Sequence, residues 1–276
     1  KHYDVYALLG GFPGVLAAYL KNNDVKEALD ASNLLLESLV DEIREKTGGG
    51  SDLEKWESTL GIVVNGIVSG LHSFALDDEI RKRVGGTYDN PCEDKFDLKD
   101  IVEWLSLSNV IVPYPAVLDL NCPIYLRKHM FSDLGLLRYF CEVFKISDSI
   151  YKGFAAENFV ALTVMAMLDA LEYPRLECFD SSVLESPEEA IFIIRTPREK
   201  TILLQVRSSS SGMSSSEKIL ARGEADYVIR LTDQLGSWNP GERIVTMPIY
   251  ALDKLPIVLS RMDTGELEEK GPNAKA

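Results

Sequence analysis

Apolar residues in the first part of the chain recur at the three- and four-residue spacing of amphipathic helices. This spacing runs from Val25 to Glu45 and predicts one long helix there. After Gly48-Gly49-Gly50, the segment Ser51-Asp52-Leu53-Glu54 has the S-x-x-E form of a capping box, which is typical of a helix start. The apolar positions that follow, up to Ile67, fall on one face of this second helix. The N-terminal region is therefore predicted to be helical.

Shorter apolar runs follow a polar segment at residues 85–94. A helix is predicted from Asp97 to Leu105, and extended strands are predicted at Val110–Val112 and Ile124–Leu126. A short helix before a hairpin is the pattern of a winged helix, a module that serves both DNA binding and protein docking. Another helix is predicted from Asp133 to Phe144.

The pattern changes after the polar stretch Lys145–Tyr151. The residues Ala155–Leu171 are apolar nearly all round, which predicts a buried helix. The elements predicted after it are strands at Ala190–Ile194 and Thr201–Val206, a short helix through Ile219 and Leu220, and strands at Asp226–Leu231 and Arg243–Tyr250. Helix, strands, helix and strand in this order indicate an α/β arrangement. We therefore predict a helical region over 1–148, an α/β domain over 149–264 and a frayed tail over 265–276.

Charge argues against tight nucleic-acid binding, because the chain carries a formal net charge of −14 and such binding depends on positive side chains that neutralise phosphates. Two short basic clusters, Arg81-Lys82-Arg83 and Arg127-Lys128-His129, run against this balance. Each cluster is interpreted either as ordinary solvated surface or as a contact with nucleic acid or a protein partner. Any DNA binding is therefore predicted to be weak.

The sequence lacks the common motifs of membrane, metal and phosphate sites. It contains no run of 18 apolar residues, so no membrane-spanning helix is predicted. Its four cysteines form no C-x-x-C pair, which favours reduced thiols in a cytoplasmic protein. There is no Walker-type G-x-x-x-x-G-K-[ST] loop, and the three histidines are far apart in sequence. We therefore expect no cofactor bound by this chain itself.

Four motifs occur along the chain in a characteristic order. They are Gly10-Gly11-Phe12-Pro13, the K-x-x-x-x-D-x-G-L-L pattern within Arg127–Leu137, Gly153–Ala161, and Met247–Ala251. Their order and spacing resemble the C-terminal part of a large group of bacterial and archaeal AAA-type ATPases. In that group a P-loop ATPase domain precedes a winged-helix region and a restriction-endonuclease-like domain of the PD-(D/E)XK type. The resemblance implies an α+β or α/β fold, with the ATPase domain and its ATP and Mg²⁺ outside this chain.

The nuclease chemistry of that fold needs a carboxylate on the buried helix, an Asp and a Glu on two strands, and a Lys two residues after the Glu. The resemblance assigns these four positions to Glu157, Ile191, Gln205 and Arg207. A hard cation such as Mg²⁺ prefers carboxylate oxygens, and Arg is a poor replacement for the Lys. The four side chains are therefore predicted to converge as a degenerate site that binds no metal.

The resulting prediction is a non-catalytic regulatory or partner-binding module of an AAA-type ATPase. Its partner is expected to be its own ATPase domain or another protein, and no membrane is involved. Two alternatives stay open. One is a Mg²⁺-dependent DNA nuclease in which a carboxylate of Asp180, Glu188 or Glu189 replaces the lost ligand. The other is a winged-helix module that binds DNA without catalysis.

Overall fold

The computed structural model describes residues 2–47, 51–72, 98–121, 125–184, 190–206, 214–232, 235–239 and 242–267. The chain divides into two compact units, each built from two stretches of sequence. The first unit comprises Lys1–Pro113 and Arg127–Asn158, and the second comprises Tyr114–Leu126 and Phe159–Ala276. The predicted boundaries at residues 148 and 264 follow the chain continuously, and they stay a prediction.

The first unit is mainly helical. Its helices are α1 (His2–Leu9), α2 (Pro13–Asn22), α3 (Val25–Thr47), α4 (Ser51–Val68), α5 (Leu98–Leu107), α6 (Leu134–Val143) and the first half of α7 (Asp148–Ala170). The predicted helices at α3, α4, α5 and α6 are confirmed, whereas α1 was not predicted. Helix α2 begins with Pro13, whose missing N–H is tolerated in the first turn.

Two small apolar cores stabilise these helices. One joins α1, α2 and α3 through the buried residues Leu9, Val15 and Ala28. The other involves α4, whose predicted apolar face is buried, and α5. The rings of Trp56 and Trp104 meet edge to face with their centroids 5.6 Å apart. Edge-to-face geometry is favourable for aromatic pairs.

Eight strands form one mixed sheet in the order β2-β1-β3-β4-β5-β6-β8-β7. The strands are β1 (Ile111–Val117), β2 (Leu126–Phe131), β3 (Glu177–Phe179), β4 (Ala190–Arg195), β5 (Thr201–Val206), β6 (Tyr227–Thr232), β7 (Ser237–Asn239) and β8 (Ile244–Pro248). The pairs β1–β3, β5–β6 and β6–β8 are parallel, and β3–β4, β4–β5 and β7–β8 are antiparallel. The mixed α/β class predicted from the sequence is therefore confirmed.

Both faces of the central strands are buried, as near-continuous apolar sequences such as that of β4 indicate. On one face, alternate residues of β4, β5 and β6 pack against a short helix, α8 (Ser215–Ala221), which connects the parallel strands β5 and β6. This apolar cluster includes Ile191 and Ile193 of β4 and Ile219 and Leu220 of α8. It is the core of the second unit around the candidate site.

Several features differ from the sequence expectations. The predicted winged-helix hairpin corresponds to β1 and β2, but β1 also pairs with β3 and thus belongs to the large sheet. The winged helix itself stays a prediction. Helix α7 starts at Asp148, within the stretch predicted to be a polar boundary. The strand predicted at Arg243–Tyr250 ends earlier, because a 3₁₀ helix (Ile249–Lys254) begins at Ile249. Helix α9 (Leu255–Thr264) follows it.

Helix α7 is also the one described helix that is long and apolar enough to span a bilayer. Its most apolar 18-residue window has a mean hydropathy of 1.3, and 39% of that window is buried. Its buried residues include Val160, Val164 and Leu168, whereas Ala166 is exposed, so burial is not uniform around the helix. Core helices of other proteins meet the same length and hydropathy criterion, so this is weak support for a membrane span.

Candidate functional site

Two of the four positions predicted to form a degenerate nuclease site lie side by side. Ile191 of β4 is directly opposite Gln205 of β5 in the antiparallel register. Side chains at opposite positions of neighbouring strands project from the same face of a sheet. Both side chains are fully buried, with 0% exposure. The structure therefore brings this predicted pair together on the face that α8 covers.

Ile191 packs against apolar side chains, with Gln205 directly opposite it. It belongs to the apolar cluster that contains Phe179 of β3, Leu203 of β5 and Ile219 of α8. An ionised carboxylate moved into such surroundings without a counterion loses several kcal/mol of hydration free energy. Ile191, which the resemblance assigns to the metal-binding Asp, thus contributes to packing in this chain.

Gln205 begins a chain of buried hydrogen bonds. Its Oε1 accepts a bond of 2.6 Å from the Ser216 hydroxyl of α8, and that hydroxyl lies 2.9 Å from the hydroxyl of Ser214. Within the part of the chain that the structure describes, no acceptor lies within hydrogen-bond distance of the Gln205 Nε2. The carboxamide therefore anchors the first turn of α8 to β5.

The same helix start is held to β6 by an ion pair. Ser214 and Glu217 form a reciprocal capping box, in which the Ser214 N–H donates to Glu217 Oε2 over 2.6 Å. The other oxygen of Glu217 accepts a hydrogen bond from the guanidinium of Arg230, which lies opposite Gln205 in the parallel register. Neighbouring residues of β5 and β6 therefore fix the position of α8.

Of the other two predicted positions, one lies in the first unit and one is outside the described residues. Glu157 is half-buried on α7, within the first unit, whereas Ile191 and Gln205 lie in the second unit. Arg207 is outside the described residues, as are the alternative carboxylates Glu188 and Glu189. The predicted convergence of the four side chains stays a prediction.

Asp180 is the one alternative carboxylate that the structure describes. It follows β3 directly and is buried. Its Oδ1 accepts hydrogen bonds from the backbone N–H of Ser182 over 3.0 Å and from the Ser182 hydroxyl over 2.6 Å. Among the described residues, no three side chains of His, Cys, Asp or Glu are grouped to hold a metal ion. Asp180 therefore stabilises the turn after β3.

The basic cluster at residues 127–129 is only partly at the surface. Arg127 is exposed, but Lys128 is 5% exposed and His129 is 3% exposed, both on β2. This corrects the interpretation of 127–129 as a solvated or contact surface: neighbouring side chains of a strand point to opposite faces, and from Lys128 onward both faces of β2 are buried. Burial, with the nearby Arg127 charge as a smaller cause, lowers the pKa of His129 to about 4. Arg81, Lys82 and Arg83 lie outside the described residues.

Two of the four sequence motifs, Gly10–Pro13 and the one within Arg127–Leu137, contact each other in the first unit. The Asp133 carboxylate accepts backbone N–H bonds from Gly135 over 2.7 Å, from Leu136 over 3.2 Å, and from Gly11. Gly10 has a positive φ of 75°, and a Cβ there would lie 2.1 Å from Asp133 Oδ1. Glycine is needed at these positions because the backbone lies directly against the Asp133 carboxylate.

A groove of about 130 Å³ lies beside α8 in the second unit. Its apolar lining includes Leu120, Phe179 and Ile219, and charged side chains of α8 and the neighbouring turns line it as well. Sequence reasoning missed this groove, because its residues come from three separate segments with no shared motif. The only usable signal was the predicted position of α8 between two strands.

No family model matches this chain, and no curated protein and no solved structure matches it either.

Proposed function

We propose that this chain is a non-catalytic, partner-binding module of an AAA-type ATPase, with a degenerate nuclease-like site in its α/β part. One observation carries the proposal. Ile191 is fully buried in an apolar cluster, and the opposite residue, Gln205, is engaged in a hydrogen bond that anchors α8. Both positions therefore have structural roles that leave no carboxylate for a cation.

The order of elements supports the nuclease-like part of the proposal. A helix (α7), three strands (β3, β4, β5), a helix (α8) and a strand (β6) follow one another, and β5 and β6 are parallel. This order agrees with the helix, strands, helix and strand that the apolar pattern of the sequence predicts. The contact of Gly10 and Gly11 with Asp133 agrees with the non-catalytic part of the proposal, because two of the four motifs then serve packing and not chemistry.

DNA cleavage is the test. The purified chain is incubated with supercoiled plasmid and with short duplex and single-stranded DNA in the presence of Mg²⁺ or Mn²⁺. We expect no cleavage above that of the buffer with either ion. Cleavage that requires the divalent ion and is lost in the Glu157→Gln variant would overturn the proposal.

One observation favours a second candidate, a nuclease with a shifted carboxylate. Asp180 is a buried acid at the end of β3, next to the strand that carries Ile191. Its Oδ1 is already held by Ser182, so we rank this function below the first. The same assay separates the two functions with the variant Asp180→Asn, which alone abolishes cleavage if Asp180 holds the metal. The exposed Asp253 of the same unit supplies a matched control, Asp253→Asn.

A further inference from the structure

We draw no further inference here: the strongest candidate, the buried polar cluster of Gln205, Ser214 and Ser216 between β5 and the start of α8, belongs to the candidate site already described, and nothing in the described part of the chain shows what the Gln205 amide nitrogen would bind.

Discussion

Gly10 is among the most constrained single residues in the described part of the chain. Its φ of 75° lies in the left-handed region, and its Cα faces the Asp133 carboxylate and the Gly135 N–H at the same time. A side chain at this position is opposed both by backbone strain and by two close neighbours. The first unit is therefore expected to lose stability if any residue with a Cβ atom replaces Gly10.

We predict that Gly10→Ala lowers the free energy of unfolding by about 2–5 kcal/mol. Left-handed strain contributes about 1–2 kcal/mol and overpacking about 1–3 kcal/mol. Urea denaturation measures the difference. Gly14→Ala is the control, because Gly14 is helical with no neighbour within 4 Å of an added Cβ. It should leave stability unchanged or raise it by up to about 1 kcal/mol. Equal effects of the two substitutions would contradict the prediction.

His129 makes stability depend on pH. Its pKa is lowered to about 4 in the folded chain from an ordinary value of 6.5, so the unfolded chain binds the additional proton first. As the pH falls from about 6.5 to about 4, stability is therefore lost, by roughly 3 kcal/mol at about 1.36 kcal/mol per pKa unit. Above pH 6.5 this contribution is constant.

The variant His129→Phe isolates that contribution, because the carboxylates that also destabilise the chain in acid are unchanged. We expect the unmodified chain to lose more stability than the variant between pH 6.5 and pH 4, in urea titrations at several pH values. Parallel pH profiles for the two proteins would show that His129 does not titrate as described.

At the scale of elements, the sequence pattern predicted long or strongly patterned segments and missed short ones. Helices α3 and α4 are long enough for a clear helical period, and strands β4, β5 and β6 are recognisable as short, mainly apolar runs rich in β-branched residues. Strands β3 and β7 have three residues each, too few for a period. The groove was also unpredictable, because its residues come from three segments that are distant in sequence. Pairing of Ile191 with Gln205 needed a register that only the folded sheet fixes.

The contributions of Ser216 and Gln205 to stability should depend on each other, because the two side chains are joined by a hydrogen bond. We predict that Ser216→Ala lowers the free energy of unfolding by about 1–3 kcal/mol, because the buried Gln205 oxygen loses its donor. The double variant Ser216→Ala with Gln205→Met should recover part of this loss, since both polar partners are then absent. A double-mutant cycle with urea denaturation should give a coupling of about 0.5–3 kcal/mol. Simple additivity would contradict a direct interaction.

At the scale of the whole molecule, the excess of acidic residues determines the expected affinity for DNA. The chain has 29 Lys and Arg residues against 43 Asp and Glu residues. At near-physiological salt we predict a dissociation constant for DNA no tighter than about 10⁻⁶ M, because few phosphates can be neutralised. Fluorescence anisotropy with labelled duplex DNA measures it. Nanomolar, sequence-selective binding would refute this prediction and favour the DNA-binding alternative.

The division of the chain into interleaved units has a consequence for its synthesis. Gly11 and Asp133 are separated by 122 residues, and a ribosome adds about 5–20 residues per second. The nascent helices around Leu9 and Val15 therefore wait roughly 6–24 s for the aspartate that fixes them. The small core that these helices form with α3 can assemble during that interval, because all of its residues lie within the first 29 of the chain. The first unit as a whole is completed only after Asp133 and the helices that follow it have been synthesised.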